Sequence, residues 1–164
     1  MNYIKNIENN KINNLIKNLD EHSSIAFTDG SYNNKNQRGG YGVILLTNTE
    51  KFYFIKSFDI NKQNHREILN LHSVGTECEA VKRAIYESII LNKKNISIYY
   101  DYDGIEKWIN HEWDLSTNYA DTYYDYIIKS SKQISIKFNK IKSHSGIYFN
   151  ELADKLAKSA LNKY

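Results

Sequence analysis

At 164 residues, 41% hydrophobic and 25% charged, the chain has the length and apolar content of one compact domain, which excludes a disordered or fibrous protein. A formal net charge of +3 permits a phosphate-rich partner without singling one out, and a single cysteine, Cys78, excludes an internal disulfide framework, a cysteine-rich zinc module and any expectation of a disulfide-linked partner. No apolar run reaches the roughly 18 residues a membrane span needs, and Asn and Lys interrupt the N-terminus, so a soluble, intracellular protein without a membrane partner is expected.

In residues 2 to 20, Ile12, Leu15, Ile16 and Leu19 recur at helical spacing, which predicts a short amphipathic helix, too small to be a domain. The domain organisation expected is an N-terminal helical extension over 1–22 and one folded unit over 23–164. Ile25-Ala26-Phe27-Thr28 reads as a buried strand that ends at the turn signal Asp29-Gly30-Ser31. Beyond the polar loop Asn33 to Arg38 and Gly39-Gly40, the runs Tyr41 to Leu46 and Phe52 to Phe58 complete a three-stranded antiparallel meander. Residues 61 to 74 lose periodicity, and a loop that long is uncommon in a small domain unless it has a function.

Thr76-x-x-Glu79 then reads as a capping box opening a helix with Ala80, Val81, Ala84, Ile85 and Ile89 on its apolar face, which puts Glu77 in the first turn. Ile96 to Asp101 follows as a strand, and a strand reached through a helix pairs parallel to its predecessor by default. Gly104 to Trp113 and Tyr119 to Ser130 read as helices, Ile134 to Asn139 as a last alternating strand, and Leu152, Ala153, Leu156, Ala157, Ala160 and Leu161 as one face of a final helix.

This order brings four acids within reach of one another: Asp29 and Asp101 at neighbouring strand ends, Glu77 at a helix start and Asp154 on the last helix. In open α/β sheets, sites gather outside the carboxyl ends of the strands. Clustered carboxylates repel unless cations separate them, and hard divalent ions such as Mg²⁺ favour oxygen ligands completed by substrate phosphate. Two such ions about 4 Å apart can activate a water and stabilise the leaving oxygen of a phosphodiester. Each acid also has a plainer reading. Asp29-Gly30 could be a turn, Glu77 a helix-dipole charge with Glu79 as rival, Asp101 a strand end with Asp103 as rival, and Asp154 an exposed helix residue.

Taken together, Thr28-Asp29-Gly30-Ser31, Gly39-Gly40-Tyr41-Gly42-Val43, Glu77-x-x-Ala80, Tyr100-Asp101 and the block from His144 to Asp154 resemble the type 1 ribonucleases H over roughly residues 24 to 161. Tyr100-Asp101-Tyr102-x-Gly104-Ile105-Glu106-x-Trp108 and Lys142-x-His144-Ser145-Gly146 are similar to the branch that often carries an N-terminal hybrid-binding module, which is expected to be missing here.

The resemblance implies a ribonuclease H-like α/β fold, a five-stranded mixed sheet flanked by helices. It also implies endonucleolytic cleavage of the RNA strand of an RNA/DNA hybrid, with two Mg²⁺ or Mn²⁺ ions, leaving a 5′-phosphate and a 3′-hydroxyl. By the family's pattern Asp29 bridges both ions, Asp154 completes the ion that activates water, and Glu77 and Asp101 complete the other. His144 matches a mobile histidine of proton transfer or product release, and Asn150 a residue that steadies the site. Reading of the RNA 2′-hydroxyl falls to Glu77 and to the backbone around Gly30, Ser31 and the loop before Glu77, with Thr76 at its end. A cytoplasmic monomer acting on the hybrid is expected.

The chain departs from the pattern in three places. Tyr102 follows the third carboxylate, His72-Ser73-Val74 replaces a threonine and Asn-rich pair near a DNA-phosphate pocket, and only Trp108, His111 and Trp113 stand where many bacterial members carry a basic protrusion. The two indoles and His22, His65, His72 and His111 are expected to be structural or solvated. The alternatives on the same fold are a non-catalytic hybrid- or RNA-binding protein and a DNA-directed nuclease.

Overall fold

The computed structural model describes residues 2–162; Met1, Lys163 and Tyr164, at the outer ends of the two expected units, lie outside the described residues. Five strands form one sheet in the order β3-β2-β1-β4-β5: β1 (Ser23–Asn33), β2 (Arg38–Leu46), β3 (Lys51–Asp59), β4 (Asn95–Tyr100) and β5 (Ser135–Lys140). β1, β2 and β3 are antiparallel neighbours, whereas β1–β4 and β4–β5 are parallel. This is the mixed sheet read from the sequence.

Period-2 alternation sends consecutive residues of the central strands to opposite layers. Ala26, Val43, Leu45, Ile96 and Ile98 join one core with α3 (Ser73–Ile90) and α4 (Asn118–Ser130). Ile25, Phe27, Ile44 and Leu46 join a second with α1 (Asn2–Lys17) and α5 (Tyr148–Leu161). In that second layer Phe27 stacks on Tyr99 at 5.0 Å between centroids and on Phe149 at 5.4 Å. Ile12 of α1 is buried there, with Ile16 and Leu19 beside it, while Leu15 is 50% exposed and does not belong to the packed stripe. Among the described residues no helix is long and apolar enough to cross a membrane.

Four local expectations are corrected. Asp29-Gly30-Ser31 is not a turn. β1 runs on to Asn33 because β2 continues the ladder opposite it, Gly42 facing Asp29 and Tyr41 facing Gly30, and ladder hydrogen bonds outweigh the turn preference of an isolated Asp-Gly. Residues 61 to 74 are not structureless. They hold a 3₁₀ turn (Gln63–His65) and a short helix, α2 (Arg66–Asn70), whose Ile68 and Leu69 enter the core.

The capping box does not form either. α3 begins at Ser73 after His72, whose φ of 53° is left-handed, and the Thr76 hydroxyl donates back to the Ser73 carbonyl at 2.9 Å from inside the helix. A side chain on Gly75 would collide with the Ile68 backbone, so α2 and α3 meet there and the N-cap falls at His72, four residues before Thr76. Finally, Gly104 to Trp113 is no α-helix. A single 3₁₀ turn (Asp103–Ile105) leads into irregular turns in which the Lys107 carbonyl accepts from both Glu112 and Trp113. Edge-to-face packing of Trp108 on Trp113, Tyr119 and Tyr123 replaces helical regularity.

Candidate active site

The last parallel pair between β1 and β4 is Phe27 opposite Tyr99. Asp29 and Asp101 each lie two residues beyond it, where β4 ends and β1 runs on paired with β2 alone. α3 crosses this opening closely, because a Cβ on Gly30 would strike the Glu77 amide and the Thr76 hydroxyl. Glycine here serves that approach and brings Glu77, in the second turn of α3, against Asp29. The carboxylates of Asp29, Glu77 and Asp101 lie within 4.8 Å of one another. Asp29 and Glu77 are buried, and Asp101 is half-buried.

The rivals are accounted for elsewhere. Glu79 is held by Lys82 at 2.6 Å and by the Tyr119 hydroxyl at 2.9 Å, and Asp103 pairs with Lys140 outside the cleft.

Burial, then the charges of Asp101 and Asp154, push the Asp29 carboxyl from the ordinary 3.8 up to about 8, with Lys158 and a hydrogen bond to Glu77 acting the other way. Burial and the Asp29 charge likewise push Glu77 well above the usual carboxylate range. One Glu77 oxygen, Oε2, is buried with no hydrogen-bond partner. A buried, unpartnered carboxylate oxygen among other acids is costly, and a divalent cation removes both costs at once. The donor set, all oxygen, fits such an ion.

The remaining expected residues come from α5 and the loop before it. Asn150, buried in the first turn of α5, donates from Nδ2 to Asp101 Oδ2 at 3.1 Å. Asp154, one turn further on, lies outside the tight triad, close enough to act on the Asp29 charge and ion-paired at 2.7 Å to Lys158 on its own helix. His144 is exposed on its loop with φ 52°. Ser31 continues β1 opposite Gly40, half-buried, and Thr76 is fully buried. His72 stacks on Tyr32 at 4.7 Å beside this edge.

Lys158 was missed in the sequence reading. Its signal was the spacing Asp154-x-x-x-Lys158, which puts an acid and a base on one helix face. Contact with Asp154 holds the Lys158 ammonium above its usual range, with Asp29 and Asp101 adding to the effect.

The geometry has relatives. The RNase H family model matches residues 21–162. Ribonuclease HI of Haemophilus ducreyi is 28% identical over 149 residues, covering 83% of this chain and 88% of its own. The ribonuclease H of Caldanaerobacter subterraneus is 26% identical over 141 residues, covering 84% and 90%. Among solved structures, the N-terminal RNase H domain of a Mycobacterium tuberculosis protein superposes with TM-score 0.66 at 13% identity over 85% of this chain and 94% of that one. LC11-RNase H1 in complex with an RNA/DNA hybrid does so with TM-score 0.66 at 14% identity over 85% and 96%. A sheet of this order, an acidic triad where β4 ends and a family match across nearly all of the chain agree: the protein belongs to the RNase H family, and its enzymatic class is that family's, a ribonuclease H hydrolase.

Proposed function

We propose that the chain is an endoribonuclease that cuts the RNA strand of RNA/DNA hybrids in the presence of two Mg²⁺ or Mn²⁺ ions, leaving 5′-phosphate and 3′-hydroxyl ends. The observation that carries this reading is the buried triad of Asp29, Glu77 and Asp101 with its unpartnered Glu77 oxygen. When bound, the paired cations supply an acidified water and charge stabilisation at the leaving oxygen. Asp29 would hold both ions, Glu77 and Asp101 would complete one and Asp154 the other. Asn150 keeps Asp101 turned inward through its 3.1 Å bond. His144, exposed on a loop that flanks the cleft, moves a proton to or from the cut or helps the product leave. Gly30, Ser31 and Thr76, at the meeting of β1 and α3, lie where the 2′-hydroxyl of the RNA strand is read beside Glu77.

The hybrid as substrate is supported by the LC11 relative, whose structure holds one. Residues 23–164 constitute the catalytic unit in this reading, and the protein works as a monomer in the cytoplasm.

The test uses end-labelled hybrid, double-stranded DNA, double-stranded RNA and single strands, each with Mg²⁺, Mn²⁺ or chelator. Cleavage confined to the RNA strand of the hybrid and dependent on the ion is expected. Cutting of duplex DNA replaces the reading with a DNA-directed nuclease, and tight hybrid binding without cutting under either ion replaces it with a binding protein.

A further inference from the structure

α1 is joined to the site by more than apolar packing. Asn9 Nδ2 donates to the Gly146 carbonyl at 2.9 Å, and Asn9 Oδ1 accepts from the Tyr148 backbone amide at 2.9 Å. These partners bracket the end of the loop that carries His144 and the first residue of α5. The loop needs such a hold: His144 and Gly146 both sit at positive φ, 52° and 84°, and its own short-range backbone bond, Ser145 to Lys142, is long at 3.3 Å.

α5 also lacks a local cap. Ile147 stands at its N-cap position without a side-chain bond, and the first N–H groups of a helix have no partner within it. Asn9 supplies that partner from 139 positions away. On the same face of α1, Ile12 is buried in the cluster that holds Ile147 and Phe149, with Ile16 and Leu19 beside it. The spacing of 9, 12 and 16 is one helical stripe, polar at its end and apolar along its length, and Leu19 packs on the same cluster just past the end of α1.

We infer that Asn9 is a positioning residue: by holding residues 146 to 148 it fixes the His144 loop and caps, from the far end of the same chain, the helix that carries Asn150 and Asp154, so the N-terminal helix forms part of the catalytic machinery's support. The inference rests on the role proposed for His144, and its experiment separates the two.

Amide exchange is measured on the intact, metal-free protein for wild type, Asn9→Ala and Asn9→Asp. Asn9→Ala is expected to speed exchange at Tyr148 roughly tenfold with the β-sheet amides unchanged, the scale of one or two lost hydrogen bonds. Asn9→Asp keeps the acceptor for the Tyr148 amide and restores its protection. Multiple-turnover kinetics on the hybrid follow, for Asn9→Ala, His144→Ala and the double variant. Asn9→Ala lowers kcat by about threefold to tenfold with KM held within about twofold, and it changes kcat far less when His144 is already Ala, since residues that act through one another are not additive.

Unchanged Tyr148 exchange in Asn9→Ala overturns the clasp. A loss of kcat that multiplies through undiminished in the His144→Ala background overturns the positioning of His144 by Asn9. Should wild type cut no hybrid, the function proposed for the site fails, and the exchange data alone decide whether Asn9 holds the loop.

Discussion

The two halves of the acidic site are built by different means. Asp29, Glu77 and Asp101 are placed by backbone: two neighbouring strands in register and a helix let in by Gly30. His144, Asn150 and Asp154 are placed by side chains: Asn150 on Asp101, Lys158 on Asp154, and Asn9 on the loop end. The first half is buried at Asp29 and Glu77 and half-buried at Asp101, and its like charges are forced together. The second is more open, with Asp154 28% exposed at its side chain and His144 at the surface. A preorganised charged pocket costs folding stability and holds its geometry through the reaction, whereas a half held by single hydrogen bonds is free to adjust as substrate arrives and product leaves.

The largest test of this contrast removes one charge from each half. Asp29→Asn or Asp101→Asn is expected to lower kcat by a thousandfold or more, on the order of the several kcal/mol a metal-held site supplies. Their thermal midpoints should be unchanged or raised, because a repulsive carboxylate is gone. Asp154→Asn should weaken the affinity of the triad for a first Mg²⁺ much less than Asp29→Asn does, measured by titration calorimetry. Equal losses of first-ion affinity in the two variants would erase the distinction between the halves. Next in size, His144→Gly should cost kcat about a hundredfold, the range of a lost proton-transfer group. Its stability should hold or rise slightly, since glycine takes φ 52° at no steric cost.

The same division governs what the sequence could disclose. The antiparallel meander, the parallel return to β4 and the meeting of Asp29 with Asp101 follow from periodicity and connection rules, and all are found. The register of α3 was not readable. Its start depends on Gly75 seating against Ile68, a contact between segments whose positions no local pattern fixes. Glu77 enters the triad all the same, because helical phase around Ala80 and Val81 stays the same wherever the helix begins. Residues 104 to 113 misled because Ile105, Trp108 and Ile109 are spaced as on a helix, while four packed rings decide their path. The hold of Asn9 on residues 146 and 148 is invisible to any window along the chain.

A smaller effect concerns pH. Between the ordinary 3.8 and about 8 the native Asp29 keeps a proton that the unfolded chain has released, so raising pH favours the unfolded state. In metal-free buffer the stability owed to Asp29 is full below its ordinary value and lost as pH climbs to about 8, and Glu77, raised likewise, extends the decline. Calorimetric midpoints at about pH 5 and about pH 8 should therefore fall with pH without metal and fall less in Asp29→Asn. Saturating Mg²⁺ should cancel the slope, because the cation holds the same acids in their charged form. A midpoint in chelator that rises over this window would show the triad to be less buried than its geometry requires.

The smallest expected change sharpens the contrast from the open side. Lys158 lies one turn beyond Asp154 and is the cation that already neutralises this corner of the site, acting also on the Asp29 charge. Its side chain is 59% exposed, so water screens the pair and its strength falls in the range of about 0 to 1 kcal/mol measured for such contacts. Lys158→Met keeps the aliphatic stem over α5 and removes the charge. Mg²⁺ should then bind more tightly, by about fivefold at most, the factor that about 1 kcal/mol allows. The gain should shrink as salt is raised, since the competing charge is exposed. It should also shrink in an Asp154→Asn background, where Lys158 has lost its nearest partner. Calorimetric titration of the four proteins at two ionic strengths measures all of this, and a Lys158→Met variant that binds Mg²⁺ no better than wild type would mean that Asp154 is available to the ion without first giving up its lysine.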